Sequence, residues 1–125
     1  MNLRILFPLL LLTACYTSER NCLDFQTGTF QFESISTEGD TLVTEFKRTK
    51  DLEIGYFNSS IDSSFVNWVS DCECIIKKIN PKSMIEKKSV QMKILSTSED
   101  SYVFEYSFVG DIQNRQRGSA KKITD

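Results

Sequence analysis

Ser101-Tyr102-Val103-Phe104-Glu105-Tyr106-Ser107-Phe108 alternates aromatic residues with Val103, Glu105 and Ser107. Successive side chains of a β-strand point to opposite faces, so Tyr102, Phe104, Tyr106 and Phe108 share one side. The same half-buried signature recurs upstream: Phe30 and Phe32; Leu42, Thr44 and Phe46; Leu52, Ile54 and Tyr56; Val66 and Trp68; Cys72, Cys74 and Ile76; Val90, Met92 and Ile94. A weakly patterned last strand spans Gly118 to Ile123. Turn signals separate these runs at Glu38-Gly39-Asp40, Thr49-Lys50-Asp51, Asn58-Ser59-Ser60, 96–100 and 110–114. Such short connections favour antiparallel neighbours.

The expected fold is therefore all-β, an antiparallel meander of seven to eight strands. Its apolar faces must meet, and a small barrel is expected ahead of a two-sheet sandwich because closure removes exposed edges. Thr27-Gly28-Thr29-Phe30 is faintly similar to the Gly-x-Trp opening of lipocalins. One break in the rhythm, near 80–88, predicts a short helix or an ordered loop, with Asn80 as cap and Pro81 at the first helical position.

The N-terminus carries a different signal. Arg4 precedes the run Ile5–Leu12, which holds only apolar residues and Pro8. A charged start, a short apolar stretch and small residues behind it make a secretory signal peptide. The run is too short to span ~30 Å of hydrocarbon, which takes roughly 20 residues. Leu12-Thr13-Ala14-Cys15 resembles the bacterial lipobox, which implies lipid on Cys15 as the first mature residue. The expected organisation is a signal peptide (1–14), a lipidated tether (15–26) and one β-domain (27–125). The implied location is the cell envelope, held to the membrane through Cys15. Tyr16 stands where some inner-membrane lipoproteins carry a retention Asp, which favours the outer membrane.

The chain has a net charge of −2, unevenly placed. Residues 16–76 hold four basic and eleven acidic residues, whereas 77–125 hold ten and six. No histidine occurs, which removes the commonest general base and metal ligand. No Gly-rich phosphate loop is present either. Asp62, Asp71 and Glu73 read as outward-facing carboxylates, not as an acid–base pair. The expectation is a protein that is no enzyme and carries no metal or cofactor. Envelope location and negative charge also argue against nucleic acid.

Four cysteines fall at 15, 22, 72 and 74. Cys72 and Cys74 share one strand face at a Cα spacing of about 6.6 Å, the far edge of disulfide geometry. Cys22 thus pairs with one of the two. Cys72 is favoured, which leaves Cys74 as a small apolar member of the buried row. A zinc or redox site on Cys-x-Cys lacks further ligands.

Lipobox, Cys-x-x-Phe-x-Thr-Gly-x-Phe (Cys22 to Phe30), a strand ending at Arg48 and Trp-x-x-Asp-Cys-Glu (Trp68 to Glu73) together resemble a group of short lipoproteins from Bacteroidetes-type bacteria. The similarity covers most of the mature chain. Members often carry Tyr where this chain has Cys74, which supports a Cys22–Cys72 bridge. The family has no known function, so the resemblance implies a fold type and a location only. Some members bear the label DNA topoisomerase IV, for which this sequence offers neither the length nor the apparatus.

Two functional readings remain. As a binding or interaction module of the envelope, the protein would use Lys77, Lys78, Lys82, Lys87, Lys88 and Lys93 as a basic patch toward an envelope protein or anionic glycolipid. As a carrier, it would hold a small apolar or amphipathic ligand among Trp68, Tyr56, Tyr102, Phe104 and Tyr106. The same aromatics equally suit a filled core, with Trp68 buried beside the bridge and its indole N–H on a neighbouring carbonyl or on a hydroxyl such as that of Ser70.

Overall fold

The seven alternating runs and the weakly patterned last segment become eight strands in the computed structural model, which describes residues 20–35, 38–57 and 60–125. They are β1 (Gly28–Ile35), β2 (Thr41–Arg48), β3 (Leu52–Phe57), β4 (Ser60–Trp68), β5 (Glu73–Lys78), β6 (Val90–Thr97), β7 (Ser101–Phe108) and β8 (Gln116–Thr124). Each pairs antiparallel with the next, and β8 returns to β1, closing a barrel. The expected signal segment 1–14, the lipid site Cys15 and the first part of the tether lie outside the described residues.

Register shows which side faces in. Phe30 lies opposite Phe46, Val66 opposite Ile76, Cys74 opposite Met92, and Tyr102 opposite Ala120, which itself faces Phe32. Phe30, Cys74, Ile94, Tyr102 and Ala120 are fully buried. The outer faces carry charge, as in the row Glu73, Lys93, Glu105 and Arg117 across β5 to β8. Opposite charges alternate along that row, the favourable arrangement for cross-strand neighbours.

One strand face is the reverse of the expectation. In β3, Glu53 and Gly55 are the inward positions, set opposite Arg48 and Phe46. Leu52, Ile54 and Tyr56 point outward, and Tyr56 is 44% exposed beside Ile61. The cause is pairing: Arg48 is buried and draws Glu53 inward as its counter-charge, while Gly55 leaves room opposite the Phe46 ring.

One further boundary moves, and one open alternative is decided. The tether folds earlier than 27, because Cys22–Phe25 is a 3-10 turn with Cys22 and Phe25 buried. Of the two alternatives for residues 80–88, the structure takes the loop and not the helix. Asn80 sits at φ 57°, in the left-handed region, and does not cap. Ser83 does: its Oγ accepts the Glu86 N–H at 3.2 Å, and Glu86 in turn accepts the Lys82 N–H at 2.6 Å. Around this single turn the carboxylate thus reaches the residue before the cap, one short of a reciprocal capping box.

The 3-10 turn closes one end of the barrel. Arg20 Nη1 donates to Ile94 O (3.2 Å), Gln26 Nε2 to Asp71 O (3.1 Å) and Lys122 Nζ to Asp24 O (2.7 Å). The Cys22–Cys72 disulfide ties the turn to the β4–β5 connection. Gly28, at φ +136°, begins β1 where any Cβ would meet Lys122 and the Thr124 carbonyl within 3 Å. The opposite end carries the longer connections 79–89 and 109–115 and has no such plug among the described residues.

Candidate ligand cavity

Above the closed end the barrel is not filled. A cavity of about 360 Å3 is walled by Phe32, Phe46, Tyr102, Phe104 and Tyr106, with Ile76, Val90 and Met92 completing the apolar surface. Thr44, Arg48 and Glu53 supply its polar groups. Two glycines make this space. Gly55 presents no side chain on the β3 wall, and Gly118 lets the Phe32 and Phe104 rings lie where its Cβ would stand, at 2.6 and 2.8 Å. Toward the open end Val90 and Tyr106 continue into a rim hollow with Phe108, Asp111, Asn114 and Gln116. Ile76 and Val90 likewise continue beneath Ile85 and Glu86 of the 79–89 connection.

The polar floor centres on Arg48, whose side chain is 2% exposed. Its Nε and Nη2 donate to Glu53 Oε1 at 3.2 and 3.0 Å, Nη1 donates to Phe25 O at 3.0 Å, and Nη2 donates to the Tyr102 hydroxyl at 3.1 Å. The guanidinium carbon also lies 5.2 to 6.0 Å from the ring centres of Phe30, Phe46, Trp68 and Tyr102. Cation–π contact and a planar donor fork are what make arginine, not lysine, suited to such a place. Burial pulls its pKa down, but Tyr102 and Glu53 outweigh this, and the net shift is upward, so Arg48 stays charged. Burial raises the Tyr102 phenol, against the pull of Arg48, so Tyr102 stays neutral.

Of the residues singled out from sequence, Tyr102, Phe104 and Tyr106 line the cavity, but Tyr56 does not, because it stands outside the barrel. Trp68 is half-buried against the core, opposite Cys74 on the next strand, and meets the site through Arg48. Its Nε1 has no hydrogen-bond partner among the described residues, neither Ser70 nor a carbonyl. Cys74 is a free, buried thiol, pushed up to about 12 chiefly by burial. It is correspondingly inert.

The six lysines do not form one patch. Lys78 takes an inward register position opposite Ser64 and pairs with Glu86 at 2.8 Å and Asp62 at 3.5 Å. The hydrogen bond that Lys78 Nζ donates to Glu86 raises the Lys78 pKa and lowers that of Glu86. Lys93 lies on the outer face between Glu73 and Glu105, and Lys77 lies opposite Phe65. Lys82, Lys87 and Lys88 remain together on the rim connection, with Lys88 Nζ 5.4 Å from the Phe108 ring centre. Sequence reasoning missed Glu53 and Gly55 altogether, placed Thr44 on an inward strand face without a role in the site, and gave Arg48 no role. The available signal was the symmetric placement of Arg48 and Glu53 about the four residues 49–52.

Comparison with protein-family models, with curated proteins and with solved structures finds no match to this chain.

Proposed function

We propose that this protein is a lipid-anchored binding protein of the bacterial cell envelope whose barrel holds a small amphipathic ligand. The observation that carries the reading is the open, aromatic-walled cavity with the Arg48–Glu53 pair at its floor and few other polar groups. Ligand sites are commonly of roughly 300–1,000 Å3, mostly apolar, with a small number of placed polar groups. A core selected only for stability would be packed to near-crystalline density, without such a space. Since a cavity of about 150 Å3 suffices for benzene, this one suits a ligand of roughly a dozen non-hydrogen atoms.

The lipobox-like Leu12–Cys15 supports the anchor. Because the chain enters the barrel at its plugged end, a short segment from Cys15 sets that end nearest the membrane and leaves the mouth free. Binding is tested with a neutral fluorescent probe, N-phenyl-1-naphthylamine, which should bind saturably and be displaced by medium-chain amphiphiles. Failure of any apolar probe to bind would refute the cavity reading. For the anchor, Cys15→Ala should abolish metabolic labelling by a fatty-acid analogue; normal labelling of that variant would refute it.

A further inference from the structure

The cavity floor has already spent its positive charge. Arg48 offers five N–H groups, and four hydrogen bonds to Glu53, Phe25 and Tyr102 use all but one of them. Glu53 neutralises it, and does so through Oε1 alone; Oε2 has no donor among the described residues. The Tyr102 oxygen accepts from Arg48, but its own O–H has no acceptor among the described residues. Both unspent groups belong to side chains that line the cavity and are bound to the same Arg48 nitrogen, Nη2.

Resting on the ligand-binding reading above, we infer that the cavity selects uncharged, hydroxyl-headed amphiphiles and turns carboxylates away. A hydroxyl matches both unspent groups: its hydrogen donates to Glu53 Oε2, and its oxygen accepts from Tyr102 O–H. A carboxylate head fails on two counts. It brings a second negative charge against Glu53, and it has no hydrogen to give Oε2. The single remaining Arg48 N–H does not compensate, since the guanidinium is already paired. The low dielectric of the aromatic walls strengthens both the match and the repulsion. An ether head of the same length can still accept from Tyr102 but sets a methyl where the hydroxyl hydrogen stood, and so tests the donation to Glu53.

The decisive comparison is displacement of N-phenyl-1-naphthylamine from the purified full chain at pH 7.5 by decan-1-ol, decanoate and 1-methoxynonane. Decan-1-ol should compete at least about tenfold more tightly than either of the others, the scale of one hydrogen bond to a charged acceptor. Glu53→Gln should narrow the gap between decanoate and decan-1-ol at least about tenfold. Equal or tighter binding of decanoate, or an ether as good as the alcohol, on protein that binds the probe would overturn the head-group assignment alone. If neither the probe nor any of the three binds, the cavity reading itself is wrong. Should Glu53→Gln not fold, the three-ligand comparison on the unaltered chain still decides.

Discussion

Breaking and then removing the Arg48–Glu53 pair tests whether the floor is a buried ion pair. Arg48 is 2% and Glu53 20% exposed at the side chain. Glu53→Leu leaves the guanidinium its bonds to Phe25 O and Tyr102 but takes away its counter-charge. Losing one partner of a buried pair costs about 3–5 kcal/mol. Glu53 is not fully dry, and cavity water can meet the freed N–H groups, so the loss belongs at the lower end, about 3 kcal/mol. Arg48→Met strands the Phe25 carbonyl as well as Glu53 and should cost a similar amount. In the double variant no charge remains to be desolvated, and the principal debt is one carbonyl, about 1–3 kcal/mol. The two single losses should therefore exceed the double loss by about 2 kcal/mol or more. Urea unfolding followed by Trp68 reads this directly, since that ring lies 5.6 Å from the guanidinium carbon and is the only tryptophan. An unchanged denaturant slope is required for the comparison. Additivity within about 0.5 kcal/mol, or a Glu53→Leu loss below about 1 kcal/mol, would place the pair with exposed ion pairs and refute the argument.

The bridge closes a separation of 50 residues, so Cys72→Ala should lose about 4 kcal/mol, whereas Cys74→Ala loses about 1 kcal/mol; peptide mapping of unreduced protein should yield Cys22 joined to Cys72, and a Cys22–Cys74 peptide would contradict it. The stability that Cys74 and Tyr102 contribute by staying protonated should be intact below pH 9 and fall toward pH 12. Folding raises Cys74 from 9.0 to about 12 and raises Tyr102 as well, so across that window the unfolded chain releases protons that the folded chain keeps. Melting temperatures should show the decline, and Cys74→Ala should flatten it; an unaltered slope would rule out the thiol as its source. Gly118→Ala puts a methyl against Phe32 and Phe104 and should cost about 1 kcal/mol, the low end for overpacking because the rings can turn into the cavity. Probe affinity should then fall by more than stability does, and undiminished binding would mean that Gly118 does not shape the cavity.

The alternation in β7 and β1 was enough to place Tyr102, Phe104, Tyr106, Phe30 and Phe32 on inward faces, because period two is a local property of an extended chain. Short connections likewise announced antiparallel order, and cysteine spacing set Cys22 against one of Cys72 and Cys74, of which the fold takes the favoured Cys72. Local pattern failed at β3. There Leu52-Glu53-Ile54-Gly55-Tyr56 alternates cleanly, yet its apolar row faces out. Which face turns inward is set by the partner strand, and here β2 brings a buried Arg48 opposite Glu53. A charged pair near a turn reads from sequence as solvated, because its burial is repaid only by Phe25 O, Tyr102 and four aromatic rings drawn from distant parts of the chain. Closure and the empty interior are tertiary properties too. An eight-stranded barrel has a radius that side chains can just fill, and small residues at Thr44, Gly55 and Gly118 leave it unfilled on one side. Sequence pattern therefore determined the strands and most of their faces, while only the closed ring of partners decided that charge lies at the floor and space above it.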